Sequence, residues 1–152
     1  MRSLAVVGGV LLCGAAMIRG DGGLPNLNGN WKVDPARSEA SEANKGLSLE
    51  ISGNPDDIHI KEIRGPNAKD VSEFTCETFG KDCPMRDGGD KATVSAFYNG
   101  YVLVVLKTHG RRGSSVEKQR FMLSSAGDLL TVEITHIEPT GKPEKLVMTK
   151  AQ

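Results

Sequence analysis

Aromatic side chains are scarce in this sequence. One tryptophan, two tyrosines and four phenylalanines serve 152 residues, which leaves little for a platform that stacks bases or sugars. Neither sign of charge is in excess, because 19 basic residues match 19 acidic ones. A balanced chain gives no electrostatic reason to expect nucleic acid or an anionic membrane as a partner. The three histidines, His59, His109 and His136, fall on different strands or turns without an i, i+2 pairing. They read as exposed or capping residues rather than as a zinc triad, and no metal or other cofactor is expected.

Catalytic patterns are lacking as well. Gly113-Ser114-Ser115 is not a nucleophile elbow, and no strand-to-helix context surrounds it. No glycine-rich phosphate loop precedes a helix. The aspartates Asp56, Asp57, Asp82, Asp87, Asp90 and Asp128 all sit in predicted turns, where a short carboxylate accepts bonds from nearby backbone N–H groups. Nothing fixes two of them across a cleft for acid–base work. The sequence therefore predicts a non-enzyme, with no catalytic residue assigned.

Long apolar runs are missing too. The stretch from Ser3 to Ile18 falls short of the roughly 20 residues that a spanning helix needs. It reads instead as a secretion signal over residues 1–16: Arg2 supplies the positive start, Leu4–Leu12 the apolar core, and Gly14 and Ala16 the small residues of a cleavage site, with a cut as late as Gly20 as the alternative. Cys13 follows Leu12 rather than a small residue, so it is expected to leave with the signal rather than to carry a lipid anchor. The protein is thus expected to be exported, to a periplasmic or extracellular setting. Cys76 and Cys83 then remain, and an even pair in an oxidising place reads as a disulfide. A redox motif fits poorly, because the spacing is not that of a CxxC pair. A zinc site would need histidines to complete it.

What is present is a rhythm of alternation. After a lead-in over 17–28, a strand over Gly29–Val33 stops at Asp34-Pro35, and Ala36–Asn44 reads as a loop. Leu47, Leu49 and Ile51 then alternate with polar residues. So do Ile58 and Ile60, Ala92, Val94 and Ala96, and Leu130, Val132 and Ile134. Asn99-Gly100 is a hairpin signal of the type I′ kind. Tyr101–Leu106 is apolar throughout and reads as buried on both faces or central in the sheet. About eight or nine strands with short connections imply an all-β, up-and-down antiparallel sheet that closes into a barrel over 29–152, first strand against last. Trp31, Phe97 or Tyr98, Tyr101 and Met122 are the aromatic or soft side chains that would line or fill its interior. A basic group, Lys107, Arg111, Arg112, Lys118 and Arg120, reads as solvated turn charge balanced by Glu117 and Asp128.

Leu27-Asn28-Gly29-Asn30-Trp31-Lys32-Val33-Asp34-Pro35-Ala36-Arg37-Ser38 and Leu123-Ser124-Ser125-Ala126-Gly127-Asp128-Leu129-Leu130-Thr131-Val132-Glu133 resemble the opening and closing strands of small exported lipocalin-like proteins of soil bacteria. The turn from Cys76 to Cys83 around Phe79-Gly80-Lys81 resembles one found in some of them. The resemblance implies a barrel whose Gly-x-Trp tryptophan closes one end. In lipocalins an arginine of the last strand usually covers that ring. Lys145–Lys150 holds no arginine, and Lys150 is expected to stack poorly. The resemblance brings no settled activity. The expected function is a binding barrel with a small apolar ligand in its mouth. The alternative is an interaction or inhibitor barrel that meets an envelope protein through the cysteine loop and the Arg111-Arg112 hairpin.

Overall fold

The computed structural model describes residues 23–65, 67–110 and 115–152. The expected signal segment, Cys13 and the Arg111-Arg112 hairpin lie outside these residues. The described chain forms ten strands: β1 Gly29–Val33, β2 Ser48–Asn54, β3 Asp57–Arg64, β4 Asp70–Glu77, β5 Phe79–Asp87, β6 Asp90–Asn99, β7 Val102–His109, β8 Ser115–Leu123, β9 Leu129–Glu138 and β10 Glu144–Lys150. Each pairs antiparallel with its neighbours in sequence, and β1 also pairs with β10. The sheet is a closed up-and-down barrel, lipocalin-like as expected, with one strand more than the sequence showed. The added strand is β5. It holds Gly80 and Pro84, and only Met85 is buried, so it carries no alternating apolar signal. Among the described residues the helical content is one 3-10 turn, Pro35–Arg37, and no helix is long and apolar enough to cross a membrane.

Closure is the work of β1. Trp31 lies opposite Leu49 of β2 and Lys150 of β10, and its side chain is fully buried. Indole Nε1 donates to the carbonyl of Leu27 at 2.9 Å. Leu27, in the stretch read as a lead-in, is itself buried beneath the barrel floor. Lys150 Nζ stands 5.3 Å from the centre of the Trp31 ring, inside cation–π range. The lysine therefore does cover the ring, in the place the resemblance gives to arginine.

The strand period settles what points inward. Leu103 and Val105 of β7 join the core, and Val104 between them is buried on the outer wall. The run is central in the sheet, as β7 is paired with both β6 and β8, and only one of its sides faces the core. The β6–β7 turn places Gly100 and Tyr101 between the paired Asn99 and Val102. Only Gly100 has positive φ there (62°), so the turn is not the expected I′ type, in which both central residues need it.

The Cys76–Cys83 disulfide is formed, with 5.6 Å between Cα atoms. It bridges β4 and β5 where their ladder stops, beyond Phe74 opposite Met85. Cross-linking so short a loop contributes about 2.5 kcal/mol in the chain-entropy account.

Trp31→Ala removes the largest buried side chain and its hydrogen bond at the closing strand. It is expected to cost about 3–5 kcal/mol in urea unfolding, with Trp31→Phe costing less. A Trp31→Ala protein as stable as the parent would show that closure does not rest on this residue.

Candidate functional site

Inward positions change character along the barrel axis. On β3 they run Ile58, Ile60, Glu62; on β7 Leu103, Val105, Lys107; on β8 Phe121, Gln119, Glu117; and on β10 Met148, Leu146, Glu144. The first members of each series lie toward Trp31 and form one apolar cluster. The last members make a polar layer at the opposite end, the mouth.

At the centre of that layer Glu62 and Lys107 are ion-paired, and each side chain is only 2–3% exposed. Four donors converge on the one carboxylate. Arg64 Nη2 (2.8 Å) and Ser72 Oγ (3.1 Å) reach Oε2, while Lys107 Nζ and Gln119 Nε2 (3.1 Å) reach Oε1. Burial opposes ionisation of Glu62, but Lys107 and Arg64 outweigh it and hold the carboxyl at about 2, below its ordinary 4.5. The pair joins β3 to β7 across the lumen and separates the mouth from the apolar interior.

Gln119 completes the layer. Its Nε2 also donates to Glu117 Oε1 at 2.8 Å. Two carboxylates on the nitrogen fix which way the amide faces, because a flip would set oxygen against oxygen. Oε1 is then buried with no hydrogen-bond partner among the described residues. An unmet buried acceptor costs about 1–3 kcal/mol.

Over the mouth lies the connection between β1 and β2. Asp34 caps its 3-10 turn, and Glu144 ties down its far half. The Glu144 carboxylate accepts from the Ser41 backbone N–H at 2.7 Å and from Asn44 Nδ2 at 3.1 and 3.2 Å. Arg64 Nε adds a bond to Asn44 Oδ1 at 3.0 Å. Burial raises the Glu144 pKa, but the bonds from Ser41, Asn44 and His136 bring it below the ordinary value. His136 stands between two acids, with Nε2 3.1 Å from Glu144 and Nδ1 3.7 Å from Glu117. Between this strap and the β9–β10 turn opens a cleft of about 740 Å³, with Ala40, Ala43 and Pro143 among its apolar walls and Arg64, Glu117, His136 and Glu144 among its polar ones. That volume suits a small organic molecule.

A second cleft, of about 840 Å³, lies on the outer wall along β3–β6, where the β4–β5 ladder stops, lined by His59, Glu73, Pro84, Met85 and Arg86. His59 and Glu73 there are paired with each other at 2.8 Å. The mouth is the stronger candidate, because it alone adjoins a buried polar network with an unmet acceptor.

The residues named from sequence are not brought together. Trp31 is in the core and Tyr98 is half-buried against it, near the closed end. Phe97 and Met122 fall between inward neighbours and project from the outer wall, so neither lines the interior. Tyr101 is a turn residue, 65% exposed. Lys107, read as solvated turn charge, is buried instead. Arg120 does meet solvent, paired with Glu133 across the outer wall at 2.8 Å. Glu62, Gln119 and Glu144 belong to no sequence motif. The available signal was phase, for each is a polar residue on the inward beat of an apolar strand.

No known family model matches the sequence, and no curated protein does. Solved structures do resemble it. A secretary abundant heat soluble protein from Ramazzottius varieornatus matches at TM-score 0.63 and 14% identity, covering 82% of this chain and 94% of its own. The REP1-NXSQ fatty acid transporter gives 0.61 and 12%, covering 83% and 96%. A point mutant of the fluorescent protein UnaG gives 0.56 and 17%, covering 82% and 96%. At these identities the likeness is one of fold.

Glu62 is ionised more readily in the folded chain than in the unfolded one. The stability it contributes is complete above its ordinary pKa and is lost as pH falls from about 4.5 through about 2. Thermal melting should drop more over that window for the parent than for Glu62→Gln. At neutral pH Lys107→Met should cost about 3 kcal/mol, because it leaves a buried carboxylate with Arg64 as its one remaining cation among the described residues.

Proposed function

We propose that this chain is a non-catalytic binding barrel that holds a small molecule in its mouth. The observation that carries the reading is the cleft under the strap, which adjoins a rigid polar layer with one acceptor left open. The mixed walls suit a ligand with both an apolar and a polar part. The apolar part packs on Ala40, Ala43 and Pro143, and the polar part meets Glu117, His136 and Glu144. A wholly apolar ligand, as expected from sequence, has to part the Glu62–Lys107 pair to reach the interior. The fold likeness to a fatty acid transporter supports small-molecule carriage. The disulfide and the amino-terminal sequence pattern support an exported setting, where a barrel clamped by a disulfide stays oxidised.

A second reading has its own support. Phe79, Phe97 and Val104 are consecutive cross-strand partners, and the outer wall there exposes Phe79 by 66%. An apolar strip of this kind favours contact with another protein.

Native mass spectrometry of the protein purified from its own source separates the two readings. A retained small-molecule mass, lost on Glu117→Arg, is expected. A retained protein, released by Phe79→Ser, would favour the outer wall, and a bare chain would count against both.

A further inference from the structure

The outer wall over β5–β8 carries its own complement. Strand register sets two neighbouring rows across it. One runs Phe79, Phe97, Val104, Arg120, and the other Asp82, Ser95, Leu106, Lys118. In each row the two ends are opposite in kind: an aromatic ring against a guanidinium, an acid against an amine. The middle positions are apolar or small. Val104 points outward and yet is only 6% exposed, so the wall around it is closely packed. Asp82 and Lys118 have no ion-pair partner among the described residues. They stand three strands apart, about 14 Å, too far to meet within one chain.

A two-fold axis lying along the strands between β6 and β7 turns this wall onto itself. It lays β5 of one copy on β8 of the other, and β6 on β7. Row by row, Asp82 then faces Lys118, Phe79 faces Arg120, Phe97 faces Val104 and Ser95 faces Leu106. Aligned sheets pack within about 30° of each other, which keeps the rows facing near the axis. Two convex walls touch along their middle and part at the flanks, where the long side chains of Phe79, Lys118 and Arg120 stand. Arg120 is paired with Glu133 at 2.8 Å but 41% exposed, so its planar head can still stack on a ring. A wall charged with one sign would suit an unlike protein; this one balances itself. Resting on the outer-wall reading above, we propose that the partner is a second copy of this chain, held face to face in an isologous dimer. Four strands span only about 19 Å, so the interface is small and the dimer depends on concentration.

Sedimentation equilibrium of the purified protein, from low micromolar to near-millimolar loading, is the test. A monomer–dimer equilibrium is expected. A two-fold interface repeats each contact, so Lys118→Asp sets acid against acid twice and should weaken the dimer about tenfold or more. Asp82→Lys sets amine against amine and should do the same. The two combined restore the pair with its signs reversed, and affinity should return to within about threefold of the parent. A misfolded protein gives no such rescue. Phe79→Ser should abolish the dimer. A dimer indifferent to Phe79→Ser, or one that the double substitution does not rescue, overturns the arrangement. A protein monomeric throughout overturns the second-copy assignment. The outer-wall reading then stands only if a different protein, released by Phe79→Ser, is retained on purification from the native source.

Discussion

The whole architecture depends on one short strand being paired on both sides. β1 is five residues long, yet it joins β2 to β10 and so removes the sheet's two edges together. A ten-stranded sheet left open at this seam would present unpaired N–H and C=O groups along both lips. The chain secures the seam from within and from without. Trp31 fills the interior beside it, and Lys150 crosses the indole face from the strand opposite. Past the end of β10 the Ala151 N–H still bonds the Asn30 carbonyl at 2.8 Å. With the seam held, the interior becomes a single enclosed column.

That column is divided. Its lower part is apolar and contiguous, and its upper part is a charged layer that few barrels could tolerate unpaired. The layer is acceptable because Glu62 is surrounded by donors from three other strands. Replacing it with apolar side chains of similar volume would be the simpler way to gain stability. Among the described residues the Gln119 oxygen meets no donor, so the layer is one donor short.

Much of the fold was legible because a sheet with one wet face writes itself in alternation. The β1 limits, the antiparallel order and the closure of first strand on last could all be read from apolar beats and turn residues. β5 could not, because it sits where the disulfide and a shifted register replace regular pairing, and its side chains are mostly exposed. The site was hardly legible. Lys107 follows an apolar run and precedes a glycine turn, the same pattern that marks an exposed strand end. Only its partner Glu62, 45 positions away in sequence, makes it an interior residue. The aromatic and soft side chains do not mark the site either: Phe97 and Met122 lie on the outer side of their strands and Tyr101 lies in a turn. Parity decides inward from outward, and a single misplaced turn residue reverses it.

The strap over the mouth is fastened by hydrogen bonds to Glu144, Lys145, Val147 and Arg64. Apart from the isolated bridge between Glu39 and Lys145 of β10, none of them belongs to the strand ladders. Its release is therefore a local event that leaves the sheet intact. For the binding proposed at the mouth, exchange would then depend on that small latch rather than on global unfolding. Residence time and fold stability can then vary independently, so that a barrel that hardly ever unfolds can still empty quickly.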